Sequence, residues 1–102
     1  ITRALDRLGE LDLARRKAPQ DPRPAFGLAR AAWLQRDFAS ASRWLREALA
    51  IDPEQATYHT LLCQVRYRMG ELRAARAACV RALQLDPQQS DATLLLRGLR
   101  AH

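Results

Sequence analysis

Two cysteines, one internal histidine and sixteen arginines are the side chains of this protein with chemistry to offer. Cys63 and Cys79 stand sixteen apart, and His59 stands four before Cys63, which on a helix puts an imidazole and a thiol on one face. Two such ligands fall short of the four that close a structural zinc site; there is no CxxC, and the other histidine, His102, is terminal. These observations favour two buried, reduced thiols over a metal centre or a disulfide. His59 reads as a satisfied core histidine rather than a catalyst. There is no GxSxG, no HExxH and no glycine loop that could cradle a phosphate, so neither an enzymatic centre nor a cofactor is expected.

The arginines dominate the charge: 17 basic residues oppose 11 acids, for a formal +6 over 102 residues. Such a surplus suits an acidic peptide, a phosphate backbone or an anionic surface. Arginine is also a good helix former that lays its methylenes over apolar neighbours, so solvated helix faces absorb much of this charge. A membrane span is excluded, because the longest apolar runs are a few letters, such as Leu94 to Leu96, against the roughly 18 a span needs. The chain opens on Ile1 with no basic-then-apolar leader, as expected of a trimmed segment, and the cytoplasm is the favoured compartment.

Positioning any of these groups falls to elements that the sequence spells twice. EALAIDP, Glu47 to Pro53, returns 34 residues later as RALQLDP, Arg81 to Pro87, and Pro19, Pro53 and Pro87 keep the same period. In that register Leu28 meets Leu62, Ala41 meets Ala75, and Ala48 and Leu49 meet Ala82 and Leu83. Alanine and leucine are abundant and β-branched residues scarce, which favours helices over strands. Apolar letters at three and four predict first helices from about Pro24 to Arg36 and from Glu54 to Met69. Breaks at Arg36-Asp37 and Gly70-Glu71 precede second helices, from Phe38 to Ile51 and from Leu72 to Leu85. Asp52 and Asp86 are placed to cap the following helix, with proline at its first position and Gln55 and Gln89 completing capping boxes. Residues 1–18 read as one uninterrupted amphipathic helix with Ala4, Leu8, Leu11 and Ala14 on a face, and Gln88 to Ala101 as a closing helix.

Helix pairs at a 34-residue period, small residues at the crossing and a terminal Asp-Pro together resemble the tetratricopeptide repeat. The family's small slots map onto Ala29, Ala41 and Ala48, then Cys63, Ala75 and Ala82, and its break glycine onto Gly70. The aromatic slots depart from the pattern: they carry Ala25 and Ala32, then His59 and Arg66, while Leu45 and Cys79 replace the second-helix aromatic. Arg36 stands at a break where glycine is common. The resemblance implies an all-α, right-handed solenoid of antiparallel helix pairs. Residues 22–55 and 56–89 would form full repeats, flanked by single helices in 1–21 and 90–102.

The resemblance also implies a concave face, built from first helices, that holds a peptide or a neighbouring domain. Its expected groove residues are Arg23, Phe26, Arg30 and Trp33, then Gln64, Tyr67 and Arg68, a basic and aromatic mixture suited to an acidic or aromatic-bearing protein segment. The further slots are Leu34, Thr57, Thr60, Asp91, Leu94 and Gly98. Phe26, Thr60 and Gln64 replace the residues with which some members clamp a terminal carboxylate, which argues against that ligand. Nucleic acid is disfavoured too: a base-per-repeat reader repeats its chemistry, yet Arg30 meets Gln64 and Arg46 meets Val80. Nothing in the pattern specifies an oligomeric state.

Overall fold

Alanine, leucine and arginine fill the segments between the Asp-Pro and Gly-Glu breaks, and each such segment closes into a helix. A computed structural model describes residues 2–100, with side chains from Arg7 onward. Among these the regular elements are α1 (Thr2–Lys17), α2 (Arg23–Leu34), α3 (Phe38–Ile51), α4 (Ala56–Arg68), α5 (Leu72–Leu85) and α6 (Ser90–Arg100). Among the described residues no helix is long and apolar enough to cross a membrane. Ala4 and His102 lie outside the residues whose side chains are described. The uninterrupted first helix is as expected, and Lys17, Ile51 and Leu85 end α1, α3 and α5 at the 34-residue period.

The breaks inside the two repeats share one backbone device. Arg36 at φ +60° and Gly70 at φ +79° both enter the left-handed region. Asp37 N–H then donates back to the Ala32 carbonyl at 2.9 Å, and Glu71 N–H to that of Arg66 at 2.9 Å, which satisfies carbonyls that the helix ends would otherwise leave open. Glycine enters this region freely, whereas an arginine meets its own Cβ there. Asp37 caps α3 by accepting from Ser40 N–H at 3.2 Å. The Ser40 side chain first, and then this backbone bond, hold the Asp37 carboxyl below its ordinary range.

The Asp-Pro endings differ from their expected role. Asp52 and Asp86 are extended residues that close α3 and α5, and the next helices begin only at Ala56 and Ser90. Gln55 precedes α4 without a side-chain cap. Asp86 turns its carboxylate onto the backbone N–H of Gln88 at 3.0 Å and the side-chain amide of Gln89 at 3.3 Å. The aspartate therefore stabilises the turn after one helix rather than the first turn of the next.

Two compact units make up the chain, Ile1–Pro53 and Glu54–His102. In the first, α1 packs on α2 and α2 on α3. Ala29, Ala41, Leu45 and Ala48 are fully buried there, so the small slots do let the pair approach closely. Arg15 ties α1 to α3: its guanidinium lies 5.0 Å from the centre of the Trp44 ring, 3.0 Å from Asp12 and 3.3 Å from Glu47. At Gly27 an added Cβ would meet Leu11 Cδ2 at 2.9 Å, which shows how near α1 comes to α2.

In the second unit α4 packs on α5, and α6 packs on both. Here the expected pair of reduced thiols is corrected: Cys63 and Cys79 form a disulfide, their Cα atoms 5.3 Å apart and both residues fully buried. The physical reason is the crossing itself. Cys63 occupies a small slot of α4 and Cys79 the substituted aromatic slot of α5, and an antiparallel pair sets those slots against each other. One period earlier the same two places hold Ala29 and Leu45, also fully buried. On the expected apolar face of the first helix Ala14 is exposed, and Leu49 and Leu83, which meet in the repeat register, are only half-buried.

Candidate functional site

Four of the expected binding residues sit on α2 and three on α4, so each unit presents its own surface. On α2, Arg23 is already engaged: its Nε and Nη2 donate to Asp21 at 3.0 and 2.8 Å, and its backbone N–H donates to the same carboxylate at 3.0 Å. The side-chain bond from Arg23, followed by the backbone one, lowers the Asp21 pKa. Arg23 thus secures the entrance of α2, whereas Arg30, on the exposed surface of the same helix, has no ion pair among the described residues. Trp33 is half-buried with its ring centre 5.6 Å from that of Phe38, tilted by 56°. Its face is spent on the α2–α3 hairpin, and Phe26 is half-buried as well.

On α4, Gln64 is half-buried while Tyr67 and Arg68 are exposed. Gln64 and Tyr67 join Asp91, Leu94, Leu95 and Gly98 of α6 around a shallow cleft of 270 Å³. Leu94 is 63% exposed, an unusual outlay of apolar surface for a residue beside a cleft. Asp91 makes this cleft less basic than the α2 surface, so its chemistry favours an apolar anchor over a carboxylate. Thr60, one of the further groove slots, is instead buried: its hydroxyl donates to the Ala56 carbonyl at 3.0 Å and lies 3.0 Å from Gln89 Oε1, a tie within the unit. His59 is half-buried rather than enclosed, and its neighbour on the helix face, Cys63, is consumed by the disulfide. No group of three histidine, cysteine or carboxylate side chains that could hold a metal occurs among the described residues.

A second concavity was not anticipated. Between α1 and α2 lies a cleft of 510 Å³ walled by Leu8, Leu11, Gly27, Ala31 and Leu34, with Arg7 and Arg30 in its lining. Leu34 is 78% exposed. The sequence signal is the apolar face of the first helix that carries Leu8 and Leu11, both of them half-buried.

A family model described as the tetratricopeptide repeat matches residues 1–65. No curated protein matches the sequence. Among solved structures the chain is similar to the first tetratricopeptide domain of Spaghetti (RPAP3) bound to the HSP90 peptide SRMEEVD. Identity is 21% and the TM-score 0.88, over 92% of this chain and 75% of that one. The NMR structure of the first such domain of human RPAP3 is similar to the same degree, with 21% identity, a TM-score of 0.88 and coverage of 92% and 74%. These likenesses bear on the fold, and the sequence model carries the family. With the 34-residue register, the close-packed small slots and the matched span agreeing, the chain belongs to the tetratricopeptide repeat family.

Proposed function

We propose that this protein is a non-catalytic interaction module that takes a peptide, or an extended segment of a neighbouring domain, on the first helices of its repeats. The carrying observation is the cleft between α4 and α6, where Tyr67 and Leu94 leave apolar surface exposed beside Gln64. Exposed Arg68 on α4 adds cationic character that favours acidic residues in such a ligand, and exposed Arg30 gives the surface of α2 the same character. The structurally similar RPAP3 domain holds an acidic peptide, which supports this ligand class by analogy of fold. A terminal-carboxylate clamp is not part of the reading, since Phe26, buried Thr60 and Gln64 supply no cation at those positions. The repeat boundaries in this reading are 22–55 and 56–89. The Cys63–Cys79 disulfide favours an oxidising compartment over the cytoplasm.

Selection of displayed peptides on the whole chain tests this. The expected result is enrichment of sequences that combine a large apolar residue with aspartate or glutamate. Affinity for those peptides should drop at least tenfold in Tyr67→Ala and in Arg30→Glu/Arg68→Glu, with the helical circular dichroism unchanged. Failure of any sequence class to enrich, or equal affinity in all variants, overturns the reading.

A further inference from the structure

The 34-residue period sets the first helix of one repeat against that of another, and the comparison singles out one acidic residue. Moved by two periods, α6 falls on α2: Asp91 takes the place of Arg23, Leu94 that of Phe26 and Gly98 that of Arg30. Where α2 carries two cations, α6 carries a carboxylate and a bare backbone. Both lie in the lining of the 270 Å³ cleft between α4 and α6, with Gln64, Tyr67, Leu94 and Leu95. Of these residues Asp91 alone is charged. It is exposed, and it forms no ion pair or side-chain hydrogen bond among the described residues. In a chain of formal charge +6, an uncommitted carboxylate in a cleft runs against the overall field.

Gly98 is the second departure. A glycine inside a helix destabilises it relative to alanine, because glycine loses more backbone freedom on folding. Packing does not require one here: an added Cβ would meet nothing within 4 Å, and the φ of Gly98 is not positive. What the missing side chain changes is the cleft, whose lining is left bare at that point. The cleft also lies off the side on which helices pair. The Cys63–Cys79 bond joins α4 to α5 at Cys63, and one period on that place is Arg97, which does not line the cleft. At 270 Å³ the space falls below the roughly 300 to 1,000 Å³ of a small-molecule site, so it suits one or two side chains of a peptide.

We propose that this cleft recognises a basic residue placed two positions from a large apolar one in an extended peptide. The guanidinium or ammonium meets Asp91, and the apolar side chain lies over Leu94, Leu95 and Gly98 against Tyr67. The spacing follows from the helix. Asp91 and Gly98 lie about 10 Å apart along α6, at a rise of about 1.5 Å per residue. Side chains two positions apart in an extended chain project to the same side roughly 7 Å from each other, and the stem of the basic residue spans the remainder. The inference rests on the peptide-surface reading and adds a residue to that ligand: its acidic groups are drawn to Arg68, next to Tyr67, and its basic one to Asp91.

The probes are otherwise neutral serine-glycine peptides, one carrying Arg-Ser-Phe and one Phe-Ser-Arg, beside a control with serine in place of arginine. Each is titrated at low salt into the whole isotopically labelled chain. One order should shift the amides of Gln64, Asp91, Leu94 and Gly98 saturably and bind about threefold or more tightly than the control, an advantage that fades as salt is raised. The positive chain repels both arginine peptides, so a preference for either reports Asp91 rather than the overall field. Asp91→Asn should erase the advantage. Asp91→Arg should make the glutamate counterpart of the favoured peptide bind more tightly than it binds the unmodified chain, with helical circular dichroism unchanged in both variants. No gain from arginine in either order, or a gain that survives Asp91→Asn, overturns the proposal. If the three peptides then still shift Tyr67 and Leu94 equally, the peptide-surface reading stands without it; if none shifts any amide of α4 or α6, both fall.

Discussion

Opening the Cys63–Cys79 bridge removes a constraint on the unfolded chain without emptying the core. The bond closes a loop of sequence separation 16, and both cysteines are fully buried. Loop-closure entropy for that length amounts to about 3 kcal/mol at room temperature. The two thiols left after reduction still fill their slots, so little packing is lost with the cross-link. For a domain of about 100 residues, 1 kcal/mol moves Tm by roughly 4 to 8 °C, so reduction should lower it by roughly 12 to 24 °C. Because the bridge is buried, the chain is reduced in denaturant, returned to buffer with reductant and melted by circular dichroism beside the oxidised form. The double substitution Cys63→Ala/Cys79→Leu rebuilds the pair that the first repeat already holds at Ala29 and Leu45. It should fold, melt close to the reduced form and ignore reductant altogether. Oxidised and reduced melts within about 3 °C of each other, or two thiols reacting with a thiol reagent in the untreated native chain, would refute the argument.

Two further outcomes follow from the backbone and the caps. Arg36→Gly should raise the melting temperature, because the left-handed conformation that costs an arginine about 1 to 2 kcal/mol is free to glycine. Glycine's greater freedom in the unfolded chain returns part of this, leaving a net gain below about 1 kcal/mol; a lower melting temperature would show that the arginine side chain holds something of its own there. Asp21 and Asp37 have folded pKa values below their unfolded ones, so their contribution is complete above about pH 3.9 and disappears as pH falls through the depressed folded values. Acid melts of Asp37→Asn, whose amide oxygen keeps the cap while losing the titration, should therefore lose less stability below that pH than the unmodified chain. An identical decline in both would remove Asp37 from the account.

Much of the fold is legible in the letters because helix signals are local. Pro53 and Pro87 mark the same turn twice, Gly70 announces its positive φ, and the alanines at 41, 48, 75 and 82 identify the faces where helices cross. Where the structure differs, the deciding factor is a turn or a side-chain contact that recurring residue types do not encode. Asp52 was taken for a cap because Asp-Pro commonly opens a helix, yet the chain spends three residues turning before α4 begins. Arg23 and Trp33 had the right composition for a ligand surface, but Asp21 and Phe38, each only a few residues away, lay within reach and engaged them first. Gln64 and Tyr67 do share a cleft, which required α6 to fall beside α4.

Taken alone, the 102 letters settle the period, the six helical segments and the family, since each depends on residue types recurring over three, four or thirty-four positions. Tertiary structure alone decides that Cys63 and Cys79 are one group rather than two, and that Leu8 and Leu11 of α1 line one cleft with Leu34 of α2. Both depend on how closely one helix approaches another. A residue's type can permit that distance, but only the packed neighbour sets it.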